Sequence, residues 1–143
     1  MPTILITGAS GGLAQEMVKL LPNDQLILLG RNKEKLAQLY GNYSHAELIE
    51  IDITDDSALE ALVTDLYLRY GKIDVLINNA GYGIFEGFDQ IADKDIHQMF
   101  EVNTFALMNL SRHLAARMKE SSKGHIINIV SMAGLIATGK SSL

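Results

Sequence analysis

The sequence contains no cysteine, has no excess of basic residues and carries no long apolar run. The lack of cysteine excludes disulfides and thiolate metal sites, and we expect a protein of the reducing cytoplasm. A formal net charge of −5 gives no indication of nucleic acid or an anionic membrane as a partner. No apolar run approaches the roughly 20 residues that span a bilayer. The strand-like residues that begin at Thr3 lack the layout of a signal peptide.

Metal-binding patterns, internal repeats and low-complexity tracts are absent as well. The four histidines are scattered without the spacing of metal ligands, so we expect no metal site. A hydrophobic content of 48% and a charged content of 20% are typical of a packed globular protein. We therefore predict a single domain over residues 1–143.

Five short apolar runs indicate β-strands. Each run is continuous in hydrophobicity rather than alternating, which is typical of strands covered on both faces. The runs are Thr3–Ile6, Gln25–Leu29, Ala46–Ile51, Asp74–Asn78 and His125–Val130.

Segments with helical periodicity separate these runs, namely Gly12–Leu21, Lys33–Tyr40, Ser57–Tyr70 and Asp93–Glu120. Strands that alternate with helices in this way are parallel and are joined by right-handed crossovers. We predict an α/β fold of the Rossmann type: a doubly wound parallel sheet in strand order 3-2-1-4-5, with helices on both faces. Its ligand should lie at the carboxyl ends of the strands, near the point where the strand order reverses.

A glycine-rich loop, residues 7–14, follows the first strand and opens the first helix. Glycine allows a tight turn and a close approach to a pyrophosphate, and a helix N-terminus attracts an anion. Such a loop alone also fits a plain turn, but its place in a strand–helix–strand unit favours phosphate binding. The expected cofactor contacts are Gly8, Ser10, Gly11, Gly12 and Leu13.

The same loop resembles the Thr-Gly-x-x-x-Gly-x-Gly motif of the short-chain dehydrogenase/reductase family. Ala14 replaces the last glycine of the motif, which normally allows a helix and a strand to pack closely. We expect this replacement to leave the binding site itself in place. The resemblance covers nearly the whole chain. It implies an oxidoreductase that moves a hydride between a nicotinamide and a carbonyl or alcohol carbon.

The second strand runs into Gly30, Arg31 and Asn32, without the acidic residue that holds the ribose of NAD. An arginine can bind a 2′-phosphate through paired N–H donors. The sequence therefore favours NADP over NAD, with Arg31 as phosphate ligand and Asn32 assisting. In the family that it resembles, a basic residue here goes with NADP. The alternative is that Arg31 is a solvated loop charge.

Two further segments resemble cofactor-binding motifs of the family. Asp52 and Ile53, after the third strand, resemble the pair that contacts adenine, although Asp52 could equally cap a loop. Residues 78–81 match the Asn-Asn-Ala-Gly motif. The resemblance implies that Asn78 is structural and that Asn79, Ala80 and Gly81 lie near the cofactor. Adjacent buried asparagines are costly unless their amides are hydrogen-bonded.

Asn103 falls on an apolar stripe of the longest predicted helix, formed by Ile96, Phe100, Leu107, Leu110 and Leu114. An amide facing the core is either a satisfied structural group or a catalytic one. Glu101-Val102-Asn103 resembles the family's active-site asparagine segment, where a helix bend and a bound water continue a proton relay. The resemblance favours the catalytic role.

Ser131 follows the last predicted strand, and Ser-x-x-Gly resembles the catalytic serine segment of the family. The alternative for a serine at a strand end is a capping residue. The family's catalytic tyrosine comes about thirteen residues after this serine and is followed by a lysine. That position lies just past Leu143, so we expect a C-terminally incomplete domain without dehydrogenase activity on its own.

Two functions follow from these patterns. The first is an NADP-dependent oxidoreductase acting on a small-molecule carbonyl or alcohol. The second is a non-catalytic nucleotide-binding module or redox-sensing subunit. We also expect a homo-oligomer, a dimer or tetramer, in the complete protein. Exposure of the strand His125–Val130 should favour self-association of residues 1–143.

Overall fold

The computed structural model describes residues 1–136 and contains five parallel strands in one sheet, in the order β3-β2-β1-β4-β5. The predicted α/β architecture and strand order are therefore confirmed. The strands are β1 Thr3–Ile6, β2 Gln25–Gly30, β3 Ala46–Glu50, β4 Val75–Asn78 and β5 His125–Asn128. The α-helices are α1 Gly12–Lys19, α2 Lys33–Tyr40, α3 Asp56–Tyr70, α4 Asp93–Phe100 and α5 Ala106–Ser121.

Apolar side chains fill both faces of the sheet, as the continuous runs predicted for the central strands. Along β1, Leu5 packs into a core that α3 and α5 share, whereas Ile4 and Ile6 pack into a second core with α1 and α2. Because neighbouring side chains of a strand point to opposite faces, a strand covered on both sides needs apolar residues at every position. The helices therefore lie on both faces of the sheet.

The long predicted helix Asp93–Glu120 is interrupted, and this part of the prediction is wrong. A π-helical turn at Glu101–Phe105 separates α4 from α5. A π-turn adds one residue to a helical turn and shifts the register of everything upstream. The core residues before α5 are therefore Met99 and Val102, while Phe100 of the predicted stripe is 44% exposed.

The last strand, β5, is shorter than the predicted run and is exposed along its whole length. Within residues 1–136 it pairs only with β4 and forms an edge of the sheet. Among the described residues, Ile126 and Ile127 are 36% and 45% exposed. The expected exposure of this strand is present.

No helix within residues 1–136 combines the length and the apolar character that crossing a membrane requires.

Candidate cofactor-binding cleft

A cleft of about 650 Å³, open to solvent, lies at the carboxyl ends of the central strands. Its walls are the segments that directly follow β1, β2, β3 and β4, together with one residue of the π-turn. Open α/β sheets bind ligands at the carboxyl ends of their strands, beside the point where the strand order reverses. In this sheet the order reverses between β1 and β4. The lining residues are Gly8, Ser10, Leu29, Gly30, Arg31, Ile51, Asp52, Ile53, Ala80, Gly81, Tyr82 and Val102.

The glycine-rich loop approaches the end of β4 very closely. Gly8 has a φ of +60°, and a Cβ built on it would lie 2.7 Å from the Cα of Ala80. The loop then turns so that the N–H of Gly11 donates to the carbonyl of Gly8 at 3.1 Å, and α1 begins at Gly12. No side chain caps the start of α1. Its first N–H groups are therefore left for an external partner.

Hydrogen bonds tie the segment after β4 to the same loop. The buried hydroxyl of Thr7 accepts from the backbone N–H groups of Asn79 and Ala80, each at 3.0 Å. The side-chain amide of Asn79 donates to the carbonyl of Gly8 at 3.1 Å. Thr7 and Asn79 therefore fix the two segments as one unit.

Asn78 has the structural role that the motif implied. Its side chain is buried, and its amide Nδ2 donates to Oγ of Ser111 and to Oδ1 of Asn128, each at 3.0 Å. These bonds join the end of β4 to α5 and to the edge strand β5. These hydrogen bonds avoid the free-energy cost of burying the Asn78 amide without a partner.

Replacing Asn78 by leucine should lower the free energy of unfolding by about 1–3 kcal/mol, because both hydrogen bonds are lost at a buried position. Urea unfolding followed by circular dichroism measures this change. The exposed loop residue Asn42 is the matched control, and Asn42→Leu should change stability by less than about 0.5 kcal/mol. Equal stability of the two variants would contradict the proposed bracing role.

Arg31 and Asn32 lie in the loop where β2 meets α2. Arg31 lines the cleft and also an adjoining open groove that includes Lys33 and Glu50. The side chain of Asn32 is the N-cap of α2, since its Oδ1 accepts from the N–H of Lys35 at 3.0 Å. Asn32 therefore has a structural bond that the sequence interpretation did not include, and its amide N–H donors are the groups left for a ligand.

Asp52 lines the cleft and also closes a local turn. Its Oδ1 accepts from the hydroxyl of Thr54 at 2.7 Å and from the backbone N–H of Thr54 at 3.0 Å. These two hydrogen bonds hold the pKa of Asp52 below its usual value, and the positive charge of Arg31 adds to the effect. The capping alternative is thus present in the structure, and Asp52 also lines the cleft. Ile53 is buried beside it.

The π-turn orients Asn103 toward the segment after β4. Its Oδ1 accepts from the N–H of Tyr82 at 3.0 Å, and its Nδ2 donates to the carbonyl of Tyr82 at 2.6 Å. Both amide atoms thus bind the backbone, and Asn103 itself does not line the cleft. A Cβ on Gly81 would lie 3.2 Å from Oδ1 of Asn103, so the two segments are in close contact. The expected helix bend is present as the π-turn.

Ser131 lies beyond the end of β5, outside the cleft lining. Its Oγ accepts from the N–H of Ala133 at 3.0 Å and caps the short 3₁₀ helix Met132–Gly134. A hydroxyl that accepts one bond can still donate its proton. The capping alternative is therefore present, and the side chain is exposed and free to donate to a ligand.

Seven of the twelve predicted cofactor residues line the cleft, and the other five lie around it. Gly11, Gly12 and Leu13 form the start of α1, and Leu13 is 54% exposed. The sequence interpretation missed Tyr82 and Val102, which line the cleft. Tyr82 could have been found from its position directly after the Asn-Asn-Ala-Gly segment, whereas Val102 reaches the cleft through the π-turn.

Comparison with known proteins adds independent information. A family model described as short chain dehydrogenase matches residues 2–142. The chain is 37% identical over 138 residues to the ketoacyl reductase HetN of Nostoc sp., with 92% of this chain and 48% of that protein covered. The chain spans about half the length of the curated relatives that it matches.

Two similar solved structures hold different cofactors. ElxO with NADP bound superposes with a TM-score of 0.89 and 26% identity, and the match covers 99% of this chain and 60% of that one. NAD⁺-bound xylitol dehydrogenase gives a TM-score of 0.90 and 26% identity, over 99% of this chain and 57% of that one. Proteins similar to this chain therefore bind either NADP or NAD⁺.

Proposed function

Since this chain belongs to the short-chain dehydrogenase family, we propose that it binds NADP and takes part in hydride transfer to or from a carbonyl or alcohol carbon of a small molecule. One cleft supports this function, because the glycine-rich loop, Arg31 and the segment after β4 all meet in it.

The start of α1 fits the pyrophosphate of such a cofactor. A Cβ built on Gly12 would meet no other atom within 4 Å, so packing of the chain itself does not require glycine there. The open space lies in front of a helix N-terminus that no side chain caps. Free N–H groups and the positive end of the helix dipole favour an anion at this position.

The choice of NADP depends on the charge at the adenosine end of the cleft. Arg31 stands where an NAD-binding chain would have an acidic residue, and Lys33 adds a second positive charge in the adjoining groove. Glu34 and Glu50 also line that groove, so the 2′-phosphate should approach from the side of Arg31. A guanidinium group can bind this phosphate through two parallel N–H donors.

The chemistry of the proposed reaction is divided between the cofactor and the chain. A bound nicotinamide supplies or accepts the hydride. We assign to the Ser131 hydroxyl a hydrogen bond to the substrate oxygen, on which negative charge develops during reduction. Asn103 holds the backbone of Tyr82, and with it the wall of the cleft after β4.

Ser131→Ala should lower turnover by on the order of 100-fold, as loss of a donor to a developing oxyanion does, and should leave the affinity for NADPH unchanged. The measurement follows NADPH absorbance in the whole protein with a panel of small aldehydes and ketones. Ser44→Ala, at an exposed loop position, is the matched control and should keep full activity.

The alternative function has a distinct outcome in the same experiment. A protein that binds NADPH tightly but turns over no carbonyl compound or alcohol would be a nucleotide-binding module rather than an enzyme. A protein that binds neither NADPH nor NADH would contradict the proposal as a whole.

A further inference from the structure

Tyr40, the last residue of α2, contacts the glycine-rich loop. Its side chain is 3% exposed, and its hydroxyl donates to the carbonyl oxygen of Ala9 at 2.6 Å. Buried tyrosine hydroxyls usually need a partner, but this one finds it 31 residues away in the segment expected to bind phosphate. The bond therefore joins α2 to the cofactor loop.

Ala9 is hydrogen-bonded through both of its backbone groups, which belong to two successive peptide units. Its N–H donates to the carbonyl of Leu29 at 2.9 Å, and its carbonyl accepts from Tyr40. In a planar trans peptide, the carbonyl of one residue and the N–H of the next point in opposite directions. The hydrogen bond from Tyr40 thus fixes the direction of the Ser10 N–H, which points away from the hydroxyl.

The Ser10 N–H is the group that this arrangement leaves for a ligand. Ser10 lines the cleft, and among residues 1–136 its N–H has no hydrogen-bond acceptor. A fixed N–H donor at a phosphate site binds the anion without first paying the entropy of orienting the peptide. The neighbouring N–H of Gly11 is already used within the loop, by the carbonyl of Gly8.

The ring of Tyr40 is itself held in place. It packs edge-on against Tyr43, with ring centroids 5.7 Å apart and an angle of 79° between the planes. Burial raises the pKa of Tyr40, with a smaller contribution from Tyr43. The hydroxyl therefore stays protonated, and remains a donor, throughout the pH range in which the protein would work.

We propose that Tyr40 is a positioning residue for the cofactor: through the carbonyl of Ala9 it aims the Ser10 N–H at the pyrophosphate. This inference rests on the proposed function, and it assigns to α2 a part in nucleotide binding that none of the sequence motifs indicated. Tyr40 touches no part of the cofactor itself. Its effect should be confined to ligands that carry the diphosphate.

The test compares two probes in the unmodified protein and in Tyr40→Phe, which keeps the ring and removes only the hydroxyl. ADP carries the diphosphate, whereas adenosine 2′-monophosphate reaches the Arg31 end of the cleft without one. Tyr40→Phe should lower the affinity for ADP by about five- to tenfold, which corresponds to the free energy of one lost hydrogen bond. Binding of adenosine 2′-monophosphate should change by less than about twofold.

Tyr43→Phe is the matched control, because it removes a neighbouring hydroxyl that makes no hydrogen bond within residues 1–136. It should leave both affinities unchanged. In ¹⁵N-resolved spectra of the unmodified protein, ADP should shift the Ser10 amide resonance, and adenosine 2′-monophosphate should not. The spectra of Tyr40→Phe without ligand also show whether the variant retains the fold.

The outcomes distinguish a failure of this inference from a failure of the proposed function on which it rests. Equal weakening of both probes in Tyr40→Phe would make Tyr40 a packing residue only, and unchanged ADP affinity would remove its role altogether. Either result overturns the inference and leaves the proposed function intact. If the unmodified protein binds neither probe, the proposed function fails and the inference fails with it.

Discussion

Gly8→Ala should lower the free energy of unfolding by about 2–5 kcal/mol. A left-handed backbone conformation costs an alanine roughly 1–2 kcal/mol, and overpacking typically adds about 1–3 kcal/mol. Both conditions hold at Gly8, which has a φ of +60° and whose added Cβ would lie 2.7 Å from the Cα of Ala80. The Ala80 backbone cannot yield easily, because its N–H is bonded to the hydroxyl of Thr7.

Gly12→Ala is the matched control in the same loop. Its Cβ meets no atom within 4 Å, and alanine is the better residue in a helix, so stability should stay the same or rise slightly. Urea unfolding of both variants measures the difference. Similar stability of Gly8→Ala and Gly12→Ala would show that the contact between the loop and β4 is not tight. A stable Gly12→Ala that has lost affinity for ADP would additionally support pyrophosphate binding at α1.

Arg31→Ala should lower the affinity for NADPH by about 10- to 100-fold and change the affinity for NADH by less than about twofold. A hydrogen-bonded contact between charged groups contributes about 1.5–3 kcal/mol, which equals one to two decades in affinity. NADH has no 2′-phosphate for Arg31 to contact, so loss of the positive charge should leave the affinity for NADH nearly unchanged. Isothermal titration of the unmodified protein and the variant with both cofactors measures the four affinities.

Lys35→Ala is the control for the change in net charge. Lys35 is exposed on α2, lines neither the cleft nor the adjoining groove, and carries the same charge as Arg31. Its removal should change NADPH affinity by less than about twofold at physiological salt, where surface charges are screened. Equal affinity of the unmodified protein for NADPH and NADH would overturn the assignment of NADP.

The sheet could be predicted because the apolar composition of its strands indicates that they are buried. Residues Leu26–Leu29 are apolar at every position, and such a run fits only a strand with helices on both faces. The run of β5 is apolar as well, and its residues are exposed in the described part of a chain that spans about half the length of its curated relatives. Composition shows what a strand could bury and not whether anything covers it.

The location of the cleft followed from the order of strands and helices, but the partners of its polar side chains did not. Asn32 and Asp52 satisfy local backbone groups as well as facing the ligand end of the sheet. Asparagine and aspartate favour such caps and turns on their own, so sequence alone cannot separate the two uses. Helical periodicity could not predict the π-turn, because it assumes a constant number of residues per turn, and only the resemblance implied a bend near Asn103.

Tyr40 illustrates what requires three dimensions. In sequence it is the final apolar residue of an amphipathic helix, and its ring does join the core. Only the packing of α2 against β2 and β3 brings its hydroxyl to Ala9. No spacing rule connects a tyrosine with a carbonyl 31 residues before it.

The hydroxyl of Thr7 binds backbone groups that lie 72 and 73 residues further along the chain. Closing a loop of that length costs entropy before any contact is gained, and parallel sheets with such distant pairings fold slowly. The nucleotide site should therefore take shape late, after the folding barrier has been crossed. Interactions formed late slow unfolding without speeding folding. A bound nucleotide should accordingly prolong the lifetime of the folded chain against proteolysis while leaving its refolding rate unchanged.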